Sequence, residues 1–326
     1  MNFVDTHCHI QSIGLASTDN AGERVTLGLW AKEPGLVQVD VVSEAKAAGV
    51  SRMIVVGCTY EDSKLAIDCA ARYEGTYASI GIHPHEAKHY TQTARADQPA
   101  QPPAEPELLA HRVVADSSAP LPYQSYGAVR ASMEPSATAK SVRSDFAQEF
   151  EGLCKSSKVV AMGECGLDYY YGHSPKEDQI AILKFQIELA LKHDLPLIFH
   201  VREAFADFWP IFDSYEGKIR GVLHSYTDNQ ANLERAIKAG LYIGVNGIAT
   251  FAKSEAQIAV YNAIPLDNLL LETDAPFLTP VPHRGTICKP KHVRDTAGYL
   301  AELRGESLET LAAQTTQNAQ TLFGLS

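Results

Sequence analysis

Two kinds of hydrophobic pattern alternate along the whole chain. Short apolar runs read as strands: "NFVDTH" (2–7), "RMIVVG" (52–57), "YASIGIH" (77–83), "KVVAMGE" (158–164), "LPLIFH" (195–200), "RGVLHS" (220–225), "LYIGVNG" (241–247) and "NLLLETD" (268–274). Most are continuous rather than alternating, as expected of a parallel sheet covered on both faces. Between them lie stretches with helical spacing. Residues 36–49 end at Gly49, a residue suited to the position just past a helix. Residues 174–194 open on Ser-Pro and acidic side chains and put Ile180, Leu183, Ile187 and Leu191 on one stripe. Further helices are expected near 61–73, 145–156, 203–215, 229–239, 254–263, 291–303 and 307–322. Eight strands each followed by a helix predict an α/β fold, the (β/α)8 TIM barrel, with a doubly wound open sheet as the alternative.

One segment breaks the rhythm. From about 91 to 144 the chain is rich in Pro, Ala and Ser, with one short apolar patch, "ELLAHRVVA". Such a composition suits a surface insertion, partly disordered or lid-like, after the third strand of a single domain spanning 1–326. It leaves the strand at the end where barrel active sites lie. So does the extended connection "STDNAGERVTLGLWAKEPG" after the first strand.

Composition narrows the function. A length of 326 residues with 45% hydrophobic content suits one barrel with one large core. The net charge of −11 excludes a general basic surface for nucleic acid. An anionic substrate therefore needs bound cations or a local arginine cluster. With neither a basic, apolar leader nor a run near the ~20 residues of a membrane span, the chain reads as cytoplasmic. Its six cysteines show no C-x-x-C spacing and read as reduced thiols.

The chemistry lies at the strand ends. Strand one ends in His7 and His9, strand three in His83 and His85, and strand four in Glu164. Strand five ends in His200 and Arg202, strand six in His224 and strand eight in Asp274. Side chains two apart on a strand share a face, so His7 and His9 can reach one ion, with Cys8 turned away. The same alternation puts Asp5 on the His7 side as a supporting carboxylate. Each residue has a plainer reading: a hydrogen-bonded histidine, a helix cap at Asp274, an ion pair at Glu164. Barrel closure would gather all of them around one mouth. Imidazoles with two carboxylates form a mixed nitrogen and oxygen set suited to Zn, Mn or a similar divalent ion.

The blocks "FVDTHCHI", "ASIGIHPHEA", "VVAMGECGLDYY", "LPLIFHVREA", "GVLHSYT" and "LLLETDAPFLTP" closely resemble, in order and spacing, the signature blocks of TatD-type metal-dependent deoxyribonucleases. The resemblance runs from about residue 1 to 290, apart from the 91–144 segment. It implies an amidohydrolase-like hydrolase that cleaves phosphodiester bonds, often as a 3′-to-5′ exonuclease on single-stranded DNA. It also implies two divalent ions per chain, Mg, Mn or Zn, with a third possible. His7, His9 and Asp274 would hold one ion, His200 and His224 the other, and Glu164 would bridge them. His83 would sit near the substrate phosphate or a further metal. Where the family often carries Asn-Glu after Arg-Gly, this chain reads "RGTICKP".

The chemistry gives each residue a task. Two ions ~3.5–4 Å apart can activate water and stabilise the leaving oxygen. Asp274 is then the residue to orient or deprotonate that water, and Glu164 fixes the spacing. Charge on the phosphate calls for donors: Arg202 first, then Arg284, with His83 assisting and His85 a weaker candidate. His173 and His283 read as supporting or merely exposed. Tyr169, Tyr170 and Tyr171 suit either base stacking or packing. Two other readings share the fold: hydrolysis of an amide or ester, such as a D-aminoacyl-tRNA, and an inactive scaffold.

Overall fold

The computed structural model describes residues 1–15, 21–92 and 141–325. Each of the eight apolar runs forms a strand: β1 (Phe3–Cys8), β2 (Val50–Val56), β3 (Thr76–Ile80), β4 (Val159–Asp168), β5 (Leu197–Arg202), β6 (Gly221–Leu223), β7 (Tyr242–Val245) and β8 (Leu269–Leu271). They lie side by side in sequence order, all parallel. The seam between β8 and β1 is bridged. Asp274 N donates to His7 O at 2.8 Å, His9 N to Ala275 O at 2.7 Å and Thr6 Oγ1 to Leu271 O at 3.0 Å. The open-sheet alternative is thereby set aside in favour of the barrel. The helices are α1 (Ala21–Trp30), α2 (Gln38–Ala47), α3 (Tyr60–Arg72), α4 (Ser144–Leu153), α5 (Lys176–Lys192), α6 (Phe205–Asp213), α7 (Gln230–Lys238), α8 (Glu255–Ala263), α9 (Val293–Arg304) and α10 (Leu308–Phe323). No described helix is long and apolar enough to cross a membrane.

The strands are apolar on both faces because two cores need them. Phe3, Met53, Val55, Ala78, Met162, Leu197 and Leu269 face the helices. Val4, Ile54, Val56, Ala161, Ile198, Val222 and Leu270 fill the barrel interior, joined by Ala319, Leu322 and Phe323 from α10. The last helix therefore plugs one end of the barrel with apolar side chains and leaves the other end to chemistry.

The long connection after β1 contains α1, whose Trp30 is buried and donates its indole N–H to His9 O at 3.1 Å. Three local expectations need correction. The buried stripe of α5 is Ile182, Leu183, Gln186 and Ile187, while Ile180 and Leu191 are only partly covered. Its glutamines are buried because they replace missing ladder bonds. Gln186 accepts from Ile82 N at 2.8 Å and donates to Ile82 O at 3.1 Å, just where β3 stops short of its expected end. Finally, β4 runs on to Asp168, paired with Arg202 of β5. Gly166 makes that possible: its φ is +150°, and a Cβ there would collide with the His200 carbonyl.

Of the expected insertion, residues 93–140 lie outside the described residues. The chain on either side forms a short antiparallel ribbon, Thr91 opposite Val142 and Gln92 opposite Ser141.

Candidate metal centre

β1 carries an extra residue at its mouth end. Asp5 is opposite Met53 and Cys8 opposite Val55, so three steps of β1 span two of β2. Cys8 thus joins the helix-facing core as expected. Asp5 shares the outward face of Met53, which corrects its expected place beside His7. Its buried carboxylate ties the seam instead, accepting from Thr273 Oγ1 at 2.6 Å, Thr273 N at 2.9 Å and His7 N at 3.3 Å. Burial pushes the Asp5 pKa up to about 8. His7 and His9 point inward, their Nε2 atoms 3.2 Å apart.

Glu164, delivered by β4, lies in a cage of imidazoles. Its Oε1 is 2.8 Å from His200 Nδ1 and 3.7 Å from both His83 Nε2 and His224 Nε2. Its Oε2 is 3.5 Å from His7 Nε2 and 3.7 Å from Cys58 Sγ. Asp274 Oδ1 completes the ring at 3.3 Å from His9 Nε2 and 3.8 Å from His7 Nε2. The rings of His7 and His224 stack with centroids 3.6 Å apart. Asp274 adopts φ 59°, a left-handed conformation held by its N–H on His7 O and by Phe277 N on its own carbonyl. It caps no helix: the next one, α9, begins at Val293. Burial alone would raise the Glu164 pKa, but His83, His224, His200 and His7 hold it well below the usual carboxylate range.

The protons on the rings decide what each can bind. His9 Nδ1 lies 2.9 Å from Val56 O, so that nitrogen donates outward and Nε2 is the one turned to the centre. His200 Nε2 lies 2.9 Å from Asp168 Oδ2, leaving Nδ1 to face Glu164. His224 Nδ1 is 2.9 Å from Glu272 Oε1, a close charge contact whose N–H is not well aligned, and Nε2 faces inward. His83 is different. Its Nδ1 accepts from His85 N at 3.1 Å, so the neutral ring presents an N–H, a donor for an anion rather than a ligand for a cation. Burial lowers its pKa well below the usual histidine value and keeps the ring neutral.

Two carboxylates that orient these rings were not singled out from the sequence. Asp168, fully buried, accepts from His200 Nε2 and His85 Nε2 at 2.9 and 3.0 Å on Oδ2. Its Oδ1 accepts from Tyr170 N and Tyr171 N at 3.0 and 3.1 Å. All four lone-pair sites are taken, so Asp168 can only accept, and both rings must donate to it. Glu272 approaches His224 likewise, under Gly244, where a Cβ would strike its carboxylate. The signals were present in "GECGLD" and "LLLETD": Asp168 lies two strand repeats past Glu164, and Glu272 one repeat before Asp274.

The remaining expected residues lie at the rim. His85 is bound to Asp168. The Arg202 guanidinium lies over Tyr170 and Tyr171, at 4.1 and 4.9 Å from the ring centroids. Arg284 lies 3.8 Å over Phe251 and donates to Thr279 O at 2.8 Å. In the divergent "RGTICKP" stretch, Cys288 is buried, and Lys289 Nζ turns to Glu33 at 2.8 Å and Glu44 at 3.7 Å. None of the six cysteines is in a disulfide.

The donor set fits divalent cations. His7, His9 and Glu164 converge within 4.8 Å, as do His7, His224 and Asp274; His83, Glu164 and His200 meet the same distance, but His83 brings an N–H there rather than a lone pair. Inward lone pairs of imidazole beside ionised carboxylates are what such ions require. A further trio, His283, His292 and Asp295, meets the same distance but not the chemistry. His292 Nδ1 accepts from Lys289 N at 3.0 Å, and burial lowers its pKa to about 4, so the neutral ring offers only an N–H.

Comparison with known proteins agrees with this geometry. The family model described as TatD related DNase matches residues 4–324. YabD of Bacillus subtilis, named an uncharacterized metal-dependent hydrolase, is 31% identical over 285 residues, covering 87% of this chain and 91% of its own. The 3′-5′ ssDNA/RNA exonuclease TatD of Cronobacter sakazakii is 29% identical, covering 87% and 90%. Among solved structures, the TatD homologue YJJV of Escherichia coli superposes with a TM-score of 0.71 at 23% identity, over 99% of this chain and 98% of its own.

Proposed function

The chain belongs to the TatD-related DNase family, and from that membership and the geometry of its centre we propose a phosphodiesterase that trims single-stranded DNA from the 3′ end with two divalent ions. The name of the Bacillus subtilis relative, a metal-dependent hydrolase, supports the metal, and the exonuclease name of the Cronobacter sakazakii relative supports the polarity. One observation supports a pair of ions above all: the two oxygens of Glu164 face different imidazoles, Oε2 toward His7 and Oε1 toward His200 and His224. His7, His9 and Asp274 would hold one ion, His200 and His224 the other, with Glu164 between them.

When bound, such ions supply Lewis acidity and make water acidic enough to attack at neutral pH. Asp274, poised beside His9 and His7, orients that water and takes its proton. His83 turns its Nε2–H toward the centre, where it donates to a phosphate oxygen as charge builds. Arg202 at the rim holds positive charge near the entering strand. Arg284, already bonded to Thr279 O, and His85, bonded to Asp168, have lesser roles in substrate contact.

The deciding experiment removes all metal, restores Mg²⁺, Mn²⁺ or Zn²⁺, and compares single-stranded DNA, RNA and D-aminoacyl-tRNA. Stepwise loss of 3′-terminal nucleotides from DNA is expected only with metal restored. Deacylation without strand cleavage would overturn the proposal in favour of carbonyl chemistry.

A further inference from the structure

The three consecutive tyrosines after Asp168 divide into two roles. Tyr169 is packed: its hydroxyl donates to Asp207 Oδ2 at 2.8 Å, and Lys176 Nζ lies 3.9 Å over its ring. Tyr170 and Tyr171 are instead 51% and 42% exposed, unusual for rings of that size held on an ordered backbone. They stand perpendicular, with centroids 4.8 Å apart, and the Arg202 guanidinium braces both. Tyr171 also meets His85 edge-on at 5.4 Å and lies within 8° of parallel to His173 at 5.6 Å.

Their position relative to the centre is fixed by one side chain. The same Asp168 carboxylate accepts both tyrosine N–H groups and the Nε2 of His200, whose Nδ1 faces Glu164. The backbone that carries the two rings is therefore tied, through one carboxylate, to a histidine that faces Glu164.

We propose that Tyr170 and Tyr171, braced by Arg202, form a stacking platform for an unpaired nucleobase beside the phosphate to be cut. This inference rests on the nuclease reading and deepens it. An exposed aromatic pair offers a π-face to any base, and the guanidinium matches the neighbouring phosphate. A base within a duplex has both faces covered by its neighbours, so the platform selects unpaired ends. It also sets the register of the strand over the centre, because Asp168 ties the backbone that carries the rings to His200.

The test compares an intact single-stranded oligonucleotide with one carrying an abasic residue at or next to its 3′ end. Binding is measured by anisotropy under chelation, and cleavage with metal restored. Loss of the base should weaken wild-type binding and kcat/KM about tenfold, the scale of one base–aromatic stack. Tyr170→Ala combined with Tyr171→Ala should treat the two strands alike, while the paired Phe substitutions should keep the discrimination. Wild-type indifference to the missing base, absence of binding to either strand, or full discrimination by the double Ala variant would overturn the platform. Strands bound with base preference but never cut would place the failure in the nuclease reading and leave the platform standing.

Discussion

The two ends of the barrel are built from the same strands and could hardly differ more. At one end Val4, Ile54, Val56, Ala161, Ile198, Val222 and Leu270 form one apolar cluster with Ala319, Leu322 and Phe323 of the α10 plug. At the other, within a few residues on the same strands, His7, His9, Glu164 and His224 are buried and crowd against the partly covered His200 and Asp274. Apolar burial stabilises the first end directly. The second buries charge, which costs free energy unless partners or ions compensate it. Stability and chemistry are therefore separable along each strand, and substitutions at the two ends should fail in opposite ways.

The largest effect is expected at Glu164, the one carboxylate shared by both sets of imidazoles. Glu164→Ala should reduce hydrolysis by more than about a thousandfold, beyond the loss from one ordinary electrostatic stabiliser. Elemental analysis should show fewer ions bound per chain, with the circular dichroism of the fold kept. Wild-type turnover in this variant would remove Glu164 from the mechanism.

The opposite end supplies the contrast. Phe323 is 4% exposed in the α10 plug, and Phe323→Ala should cost about 3–5 kcal/mol of stability in denaturant titration. At a temperature where the variant remains folded, kcat/KM should stay within about twofold of wild type. A large activity loss in the folded variant would mean that the plug sets the geometry of the mouth, and the two ends would not be independent.

That division explains what could be read from the sequence. All eight strands were visible because parallel strands buried on both faces must be continuous apolar runs. The chemical residues were visible because strand ends such as "LPLIFH" and "GVLHSYT" finish abruptly in histidine. What could not be read depends on contacts made between strands. The extra residue in β1 leaves no trace in "FVDTHCHI", yet it turns Asp5 outward. Gln186 looks like a polar surface residue until β3 leaves its ladder and Ile82 needs a partner. α1 has glycine at 22 and 28 and an anchoring Trp30, too little periodicity to announce a helix. Asp168 is the most consequential case, since its importance lies in receiving four hydrogen bonds from the turn after β3, from β5 and from its own turn.

Asp168→Asn should therefore have an intermediate effect. The amide nitrogen cannot accept, so one of its partners loses an acceptor and the His200 ring is freed to turn. A loss of about 10–100-fold in affinity for the second ion is expected, in line with outer carboxylates that orient histidine ligands. Titration calorimetry with Mn²⁺ would show one site weakened and one retained. Equal weakening of both sites would mean that Asp168 maintains the whole mouth rather than His200.

The smallest effect is a dependence on pH that separates the metal-free from the metal-loaded protein. In the metal-free protein burial opposes protonation of His9 and His200. Asp274 outweighs it for His9, and Asp168 with Glu164 for His200, pushing each pKa up to about 9. A histidine raised in this way contributes stability that is complete below its unfolded value near 6.5 and lost as pH rises through about 9. Ions occupying His9 Nε2 and His200 Nδ1 take the place of those protons, so the loaded protein does not suffer this loss. Asp5, raised to about 8, weakens both forms alike because it faces away from the centre. From pH 6.5 to 8.5 the Tm of chelated protein should fall by a few degrees more than that of protein saturated with Mn²⁺. Calorimetric scans across that interval read the gap directly: widening supports proton-for-metal exchange at the two histidines, and a constant or narrowing gap contradicts it.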